Sequence, residues 1–125
     1  MEKTVELVFI KKIKDSKKKH VFTAKAFICT TPFSKFLGLM FSKKKNLVFV
    51  FRKEQRTGIH MLFVFFPIWV FFLDSKKNVV EKAYLKPFSF YMPRKKAKFV
   101  VEISKDFEKI PNFKENDKII FKMKK

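Results

Sequence analysis

His60 stands at the entrance to the most apolar stretch of the chain, Ile59 to Leu73, and imidazole is the side chain that titrates closest to neutral pH. As a general base or a ligand it needs partners, and Asp74 or Glu81 can reach it from neighbouring strands; the simpler expectation for Glu81, as for Glu102, is pairing with Lys on the solvent face of a sheet. An enzyme using His60 and Asp74 is one reading; a structural His bonded to a backbone carbonyl is the simpler one. Asp74 closes an apolar segment just before Ser75-Lys76-Lys77-Asn78, where an Asp commonly caps a turn through its own backbone. The imidazole and thiol ligands are His20, His60 and Cys29, at spacings that fit no zinc pattern, so no metal and no cofactor is expected. Cys29 has no His near it in sequence and reads as a buried strand-end thiol, and a lone Cys excludes an intramolecular disulfide. No Ser lies in a Gly-x-Ser-x-Gly elbow. The only glycines, Gly38 and Gly58, exclude a Gly-rich phosphate loop. No residue is assigned a catalytic role.

Charge is the second source of chemistry. The 125 residues carry 30 Lys plus Arg against 11 Asp plus Glu, a formal net charge of +19. A field of that size binds polyanions at modest salt. Lys outnumbers Arg by 27 to 3, whereas specific phosphate and base recognition leans on the planar Arg fork. The Lys runs fall mostly at expected turns, where solvated charge also keeps strand edges from pairing. AT-rich coding, which favours Lys and Phe together, would produce the same excess without a function. Aromatics and cations interleave in Pro87-Phe88-Ser89-Phe90-Tyr91-Met92-Pro93-Arg94-Lys95-Lys96. Such a segment can stack a base and hold a phosphate, or its rings can cover one end of the fold. A nucleic-acid-binding reading rests on Arg52, Arg56, Tyr91, Arg94, Lys95 and Lys96.

The elements that must hold these residues are mostly strands. With 47% hydrophobic and 18% aromatic residues, the chain has material for a packed core, and its length suits a single β-rich domain over 1–125. Alternation predicts a strand over 4–14 with Val5, Leu7, Phe9 and Ile13 on one face, and a return strand over 20–29. Thr31-Pro32 and Gly38 are start and stop signals for one short helix. Further strands are expected over 46–52, 61–66, 69–74, 79–86, 97–103 and 118–123, with a polar loop over 52–58. An irregular connection is expected over 87–96 and a helical turn within 104–112. Eight or so strands at hairpin-like spacing argue a β-barrel or two-sheet sandwich with one or two short helices. The fifteen-residue apolar run Ile59–Leu73 is short for a spanning helix and contains Pro67, so no membrane span is expected. The N-terminal apolar run is too short for a signal peptide, and with the lone Cys this points to the reducing cytoplasm.

Several segments in order resemble the family known as domain of unknown function 192, particularly its archaeal branch. They are Phe36-Leu37-Gly38-Leu39-Met40-Phe41, Leu47-Val48-Phe49-Val50-Phe51, Ile59-His60-Met61-Leu62-Phe63-Val64-Phe65, Phe72-Leu73-Asp74, Val79-Val80, Lys86-Pro87 and Ala97-Lys98-Phe99-Val100-Val101-Glu102. The resemblance spans about residues 20 to 123. It implies a β-sandwich or barrel of jelly-roll type and brings no activity. This chain has Trp69 where the family often carries an acidic residue, and Asn116-Asp117 where Gly-Asp is common. The expected function is a ligand- or partner-binding accessory module for a small molecule or protein. Its binding residues are expected among His60, Trp69, Asp74, Gly38 and Met40. Nucleic acid, held through non-specific charge, is the alternative partner.

Overall fold

The computed structural model describes residues 4–12, 18–30, 40, 43–105 and 117–123. Among these lie nine strands: β1 (Thr4–Lys12), β2 (Lys18–Cys29), β3 (Leu47–Gln55), β4 (Ile59–His60), β5 (Ile68–Leu73), β6 (Val79–Leu85), β7 (Phe90–Tyr91), β8 (Ala97–Ile103) and β9 (Lys118–Met123). No helix occurs among the described residues; the helix expected over 31–38 and most of the 104–112 turn lie outside them. Seven strands form one sheet in the order β6-β5-β8-β3-β2-β1-β9, and β4 pairs with β7 in a separate ribbon.

Strand alternation sorts the apolar residues onto two faces. One face carries Val5, Leu7 and Phe9 of β1, Ala24 and Ala26 of β2, Val48 of β3, Phe71 and Leu73 of β5, Val101 and Ile103 of β8, and Ile119 of β9. The sheet curls around this face. Phe9 and Phe71 belong to strands far apart in the sheet, yet their rings meet edge to face at 5.9 Å. Its two ends also touch: the Val79 N–H donates to Asp117 O at 2.7 Å and the Ile119 N–H to Lys77 O at 3.2 Å. The Asn78–Lys118 bridge between these bonds therefore brings the start of β6 against the start of β9. The result is a curled, half-closed barrel with an inner core.

The opposite, outer face is apolar as well: Leu47, Phe49 and Phe51, Ile68, Val70 and Phe72, Val100, and Ala83 with Leu85 pack together there. Its cover comes from the β4–β7 ribbon and the loops beside it, which supply Ile59, Met61, Val64 and Phe66. β2 and β3 run parallel, pairing Phe27, Ile28 and Cys29 with Leu47, Val48 and Phe49. Asn46 anchors the entry to β3. Its Nδ2 donates to Lys25 O at 3.1 Å, and its Oδ1 accepts the Ser104 and Lys105 N–H groups at 3.2 and 3.0 Å. The Ser104 hydroxyl accepts the Lys45 N–H at 2.8 Å and donates to Lys45 O.

The structure departs from the expected elements in places. Segment 61–66 is a turn rather than a strand, because Val64 N–H bonds back to Met61 O at 3.2 Å and Phe63 takes φ 56°. β3 runs on to Gln55, through what reads as a polar loop, and β7 forms inside the 87–96 connection.

Curling of the sheet onto one interior predicts energetic coupling between Phe9 and Phe71. Each Phe→Ala variant should cost about 3–5 kcal/mol in urea unfolding. The double variant should fall short of the sum by about 0.5–1.5 kcal/mol, the share of the ring–ring contact.

Candidate functional site

Asp74 spends its carboxylate on its own turn. Oδ1 accepts the Lys76 and Asn78 N–H groups, both at 2.9 Å, and Oδ2 accepts Asn78 Nδ2 at 3.4 Å. The turn is tied to the end of β3 by Glu54, whose Oε2 accepts the Ser75 N–H at 2.9 Å and its hydroxyl at 2.8 Å. Hydrogen bonds from Ser75 hold the Glu54 carboxyl below its usual pKa. His60 sits on the β4 ribbon over the outer face, half-buried, and its Nδ1 accepts the Leu62 N–H at 3.3 Å. Trp69 lies on the other face of β5, packed with the inner core, edge to face with Tyr84 at 5.4 Å and beneath the Lys82 ammonium at 4.7 Å. Met40 is a half-buried turn residue, and Gly38 lies outside the described residues. The sheet thus separates Trp69 from His60, and Asp74 is engaged in its own turn.

Arg56, Tyr91, Arg94 and Lys95 do come together, around a residue that reads in the sequence as a solvent-facing partner for Lys, while Lys96 lies within electrostatic reach of Glu54. Glu81, on β6, is buried at 7% exposure. Its Oε1 accepts the N–H groups of Arg94 and Lys95 at 2.9 and 3.0 Å, and its Oε2 accepts a short bond from the Tyr91 hydroxyl. Burial, and then the Glu81 bond and charge, push the Tyr91 hydroxyl up to about 12. Its ring packs 5.9 Å from Phe72, so Tyr91 is a strut rather than an exposed platform. Arg56 Nε donates to Pro93 O at 2.9 Å and braces the same strip from β3's side. With their backbones fixed, the side chains of Arg94, Lys95 and Lys96 project into solvent. Arg52 is exposed on β3. An open cleft of about 490 Å³ lies against Glu81, Lys82, Tyr91, Met92, Arg94 and Lys95.

Beside this strip is an exposed apolar cluster. Loop 61–66 and loop 86–90 are strapped together: Met61 N–H donates to Ser89 O at 2.7 Å and Phe88 N–H to Met61 O at 2.8 Å. Met61, Val64 and Phe66 point inward, which turns Leu62, Phe63 and Phe65 out to solvent with Phe88, Phe90 and Met92. Phe65 and Phe90 are 63% and 64% exposed. Phe88 is the hub, edge to face with Phe63 at 6.0 Å and Phe65 at 5.4 Å. Phe63 and Phe88 both hold positive φ, 56° and 62°, a conformation that bulky side chains rarely adopt. Gly58 seats the outermost ring, since a Cβ there would come within 2.7 Å of Phe90 Cζ. Sequence reading named the 88–91 aromatics and missed the 62–65 half, which only the 61–64 turn exposes.

Glu102 is a further group that sequence reading placed on a solvent face. It lies on the outer side of β8, opposite Leu47 of β3 and Val70 of β5. Burial raises its carboxyl to about 8. Burial likewise lowers the Lys82 ammonium, with Asp117 opposing. Among the described residues no group of three or more His, Cys, Asp or Glu is placed to hold a metal ion. No helix among them is long and apolar enough to cross a membrane.

The curled seven-stranded sheet with its ribbon cover defines a small, mostly β protein. The profile of the family described as Uncharacterized ACR (DUF192) matches residues 11–121, and the chain belongs to that family. A UPF0127 protein of Thermococcus sibiricus is 40% identical over 86 residues, covering 66% of this chain and 56% of that protein. Another, of Pyrococcus furiosus, is 46% identical over 71 residues, 54% of this chain and 61% of the relative. The matches therefore span between half and two thirds of these relatives' length. A crystal structure from Sinorhizobium meliloti, described as a candidate transcription regulator, shares the fold at TM-score 0.79 and 14% identity, covering 94% of this chain and 93% of that one.

Two outcomes follow from the buried carboxylates. Glu81→Ala should speed amide exchange at Arg94 and Lys95 by about tenfold or more while Val100 and Val101 stay protected. Glu102 binds its proton more tightly in the folded state, so it favours folding below about pH 4.5 and that contribution is lost as pH rises through about 8. Glu102→Gln should therefore raise the urea midpoint most at pH 8–9, with the gain shrinking toward pH 4.5.

Proposed function

We propose that this protein is a partner-binding module that docks an acidic surface through the aromatic cluster and the adjoining Arg94-Lys95-Lys96 strip. The observation that carries the reading is the exposure of Leu62, Phe63, Phe65, Phe88, Phe90 and Met92 on two loops bonded to each other, with Phe63 and Phe65 against Phe88, Phe90 and Met92 over Gly58, and the strip following Met92 in the chain. Contiguous exposed apolar side chains on a folded domain ordinarily mark an interaction site. The described acidic residues add to the argument. Among the described acidic residues Glu81, Glu102 and Asp117 are buried and Asp74 is engaged in its own turn, while the exposed charged side chains of the segment that carries Phe88, Phe90 and Met92 are Lys86, Arg94, Lys95 and Lys96.

A second reading, nucleic-acid binding, draws on Arg56, Arg94 and Lys95 lying together, with Lys96 next in the chain. In that reading Phe90, rather than Tyr91, is the stacking ring, because Tyr91 is committed to Glu81 and Phe72. The engagement of Asp74 in its turn gives the His60–Asp74 enzyme no added support, and His60 supports the edge of the cluster through Leu62.

Affinity for a heparin column, with fluorescence anisotropy of labelled single-stranded RNA at about 50 and 200 mM salt, tests the acidic-surface reading. Charge reversal at Arg94, Lys95 and Lys96 should weaken polyanion binding by about tenfold or more, while the same number of reversals at Lys43, Lys44 and Lys53 changes it little. Equal loss from both sets would mean that the charge acts diffusely and that this strip is not the docking surface.

A further inference from the structure

We infer that the partner is an anionic lipid bilayer surface, which the strapped 61–66 and 86–92 loops enter as an apolar knob. This rests on the acidic-surface reading above and names its occupant. One observation that favours a bilayer over other acidic partners is that five of the knob's backbone N–H groups are paired within it or to its edge. An inserted loop must satisfy its own peptide groups, because the apolar phase offers no hydrogen-bond partners. Here Met61 N–H and Phe88 N–H bond across the two loops, Val64 N–H and Ser89 N–H close their own turns, and Leu62 N–H is taken by His60 Nδ1. The Ser89 hydroxyl donates to Lys86 O at 2.6 Å and is thus also paired within the knob.

The side chains agree with the backbone. The outward set is Leu, Phe and Met, none of which can read a base edge or bond a peptide. Phe63 and Phe65 each pack edge to face against Phe88, which gathers these rings rather than leaving a row of open faces for stacking bases. Positive φ at both Phe63 and Phe88 holds the knob outward against an ordinary backbone preference. Lys86, Arg94, Lys95 and Lys96 are exposed at its base, where phospholipid headgroups would lie once the rings are inserted. The same cations disfavour a second copy of this chain as occupant, since like charges would face each other across the interface.

The test is co-sedimentation with extruded vesicles of phosphatidylcholine alone and with about 30% phosphatidylglycerol. Wild-type protein should partition onto the anionic vesicles at least about tenfold more strongly than onto neutral ones. Phe65→Ser with Phe90→Ser, checked for an unchanged urea midpoint, should weaken that partition by about tenfold per ring. Failure of wild-type protein to bind anionic vesicles overturns the lipid assignment, and so does binding that ignores the two Phe substitutions. Vesicle failure with strip-dependent heparin binding preserved removes the lipid and leaves the acidic-surface reading standing; loss of both removes both. RNA binding that falls with Phe65→Ser and Phe90→Ser, without vesicle binding, would assign the knob to nucleic acid instead.

Discussion

Central strands with apolar side chains on both faces are the constraint from which the rest of this structure follows. In β5, Phe71 and Leu73 pack on one side while Ile68, Val70 and Phe72 pack on the other, and all five are fully buried. A strand of that composition is stable only if the sheet is covered twice. The inner side is covered by the sheet itself, which curls until its two ends meet at Asn78 and Lys118. The outer side has no second large sheet among the described residues, and the ribbon and its loops take that role.

The character of the surface is a by-product of that cover. A turn can bury only alternate parts of an apolar segment, so committing Met61, Val64 and Phe66 to the outer core obliges Leu62, Phe63 and Phe65 to face solvent. The partner loop has to be fastened over the same face, and Glu81 does so from within β6 by gripping Tyr91 and the amides of Arg94 and Lys95. That grip also fixes where the cations emerge. Packing, a buried carboxylate and charge are in this way linked through residues 81–96: the acid that steadies the fold sets the basic strip beside the exposed rings.

The sequence made strands legible wherever one face differed from the other, as with Val5, Leu7 and Phe9 against Glu6. It misled where both faces are apolar. In Met61–Phe66 every residue is hydrophobic, so periodicity cannot distinguish a strand from a turn, and the deciding contacts are bonds to Ser89 and Phe88 more than twenty residues away. Glu81 and Glu102 read as solvent-facing because a carboxylate between apolar residues alternates as an exposed strand position does. Their burial depends on what lies across the sheet. Arg94, Lys95, Lys96 and Arg56 were recognisable as cations near aromatics, but the ring among them expected to stack, Tyr91, is the one turned inward.

The account depends most on the outer cover being split into a buried half and an exposed half within one short apolar segment. Hydroxyl-radical footprinting of the monomer, read by mass spectrometry at single residues, measures that split directly. Fast oxidation of Phe65, Phe90 and Met92, with Met61, Phe66 and Phe71 protected, is the predicted pattern. Protection of Phe65 and Phe90 to the level of Phe71 in the dilute monomer would contradict it.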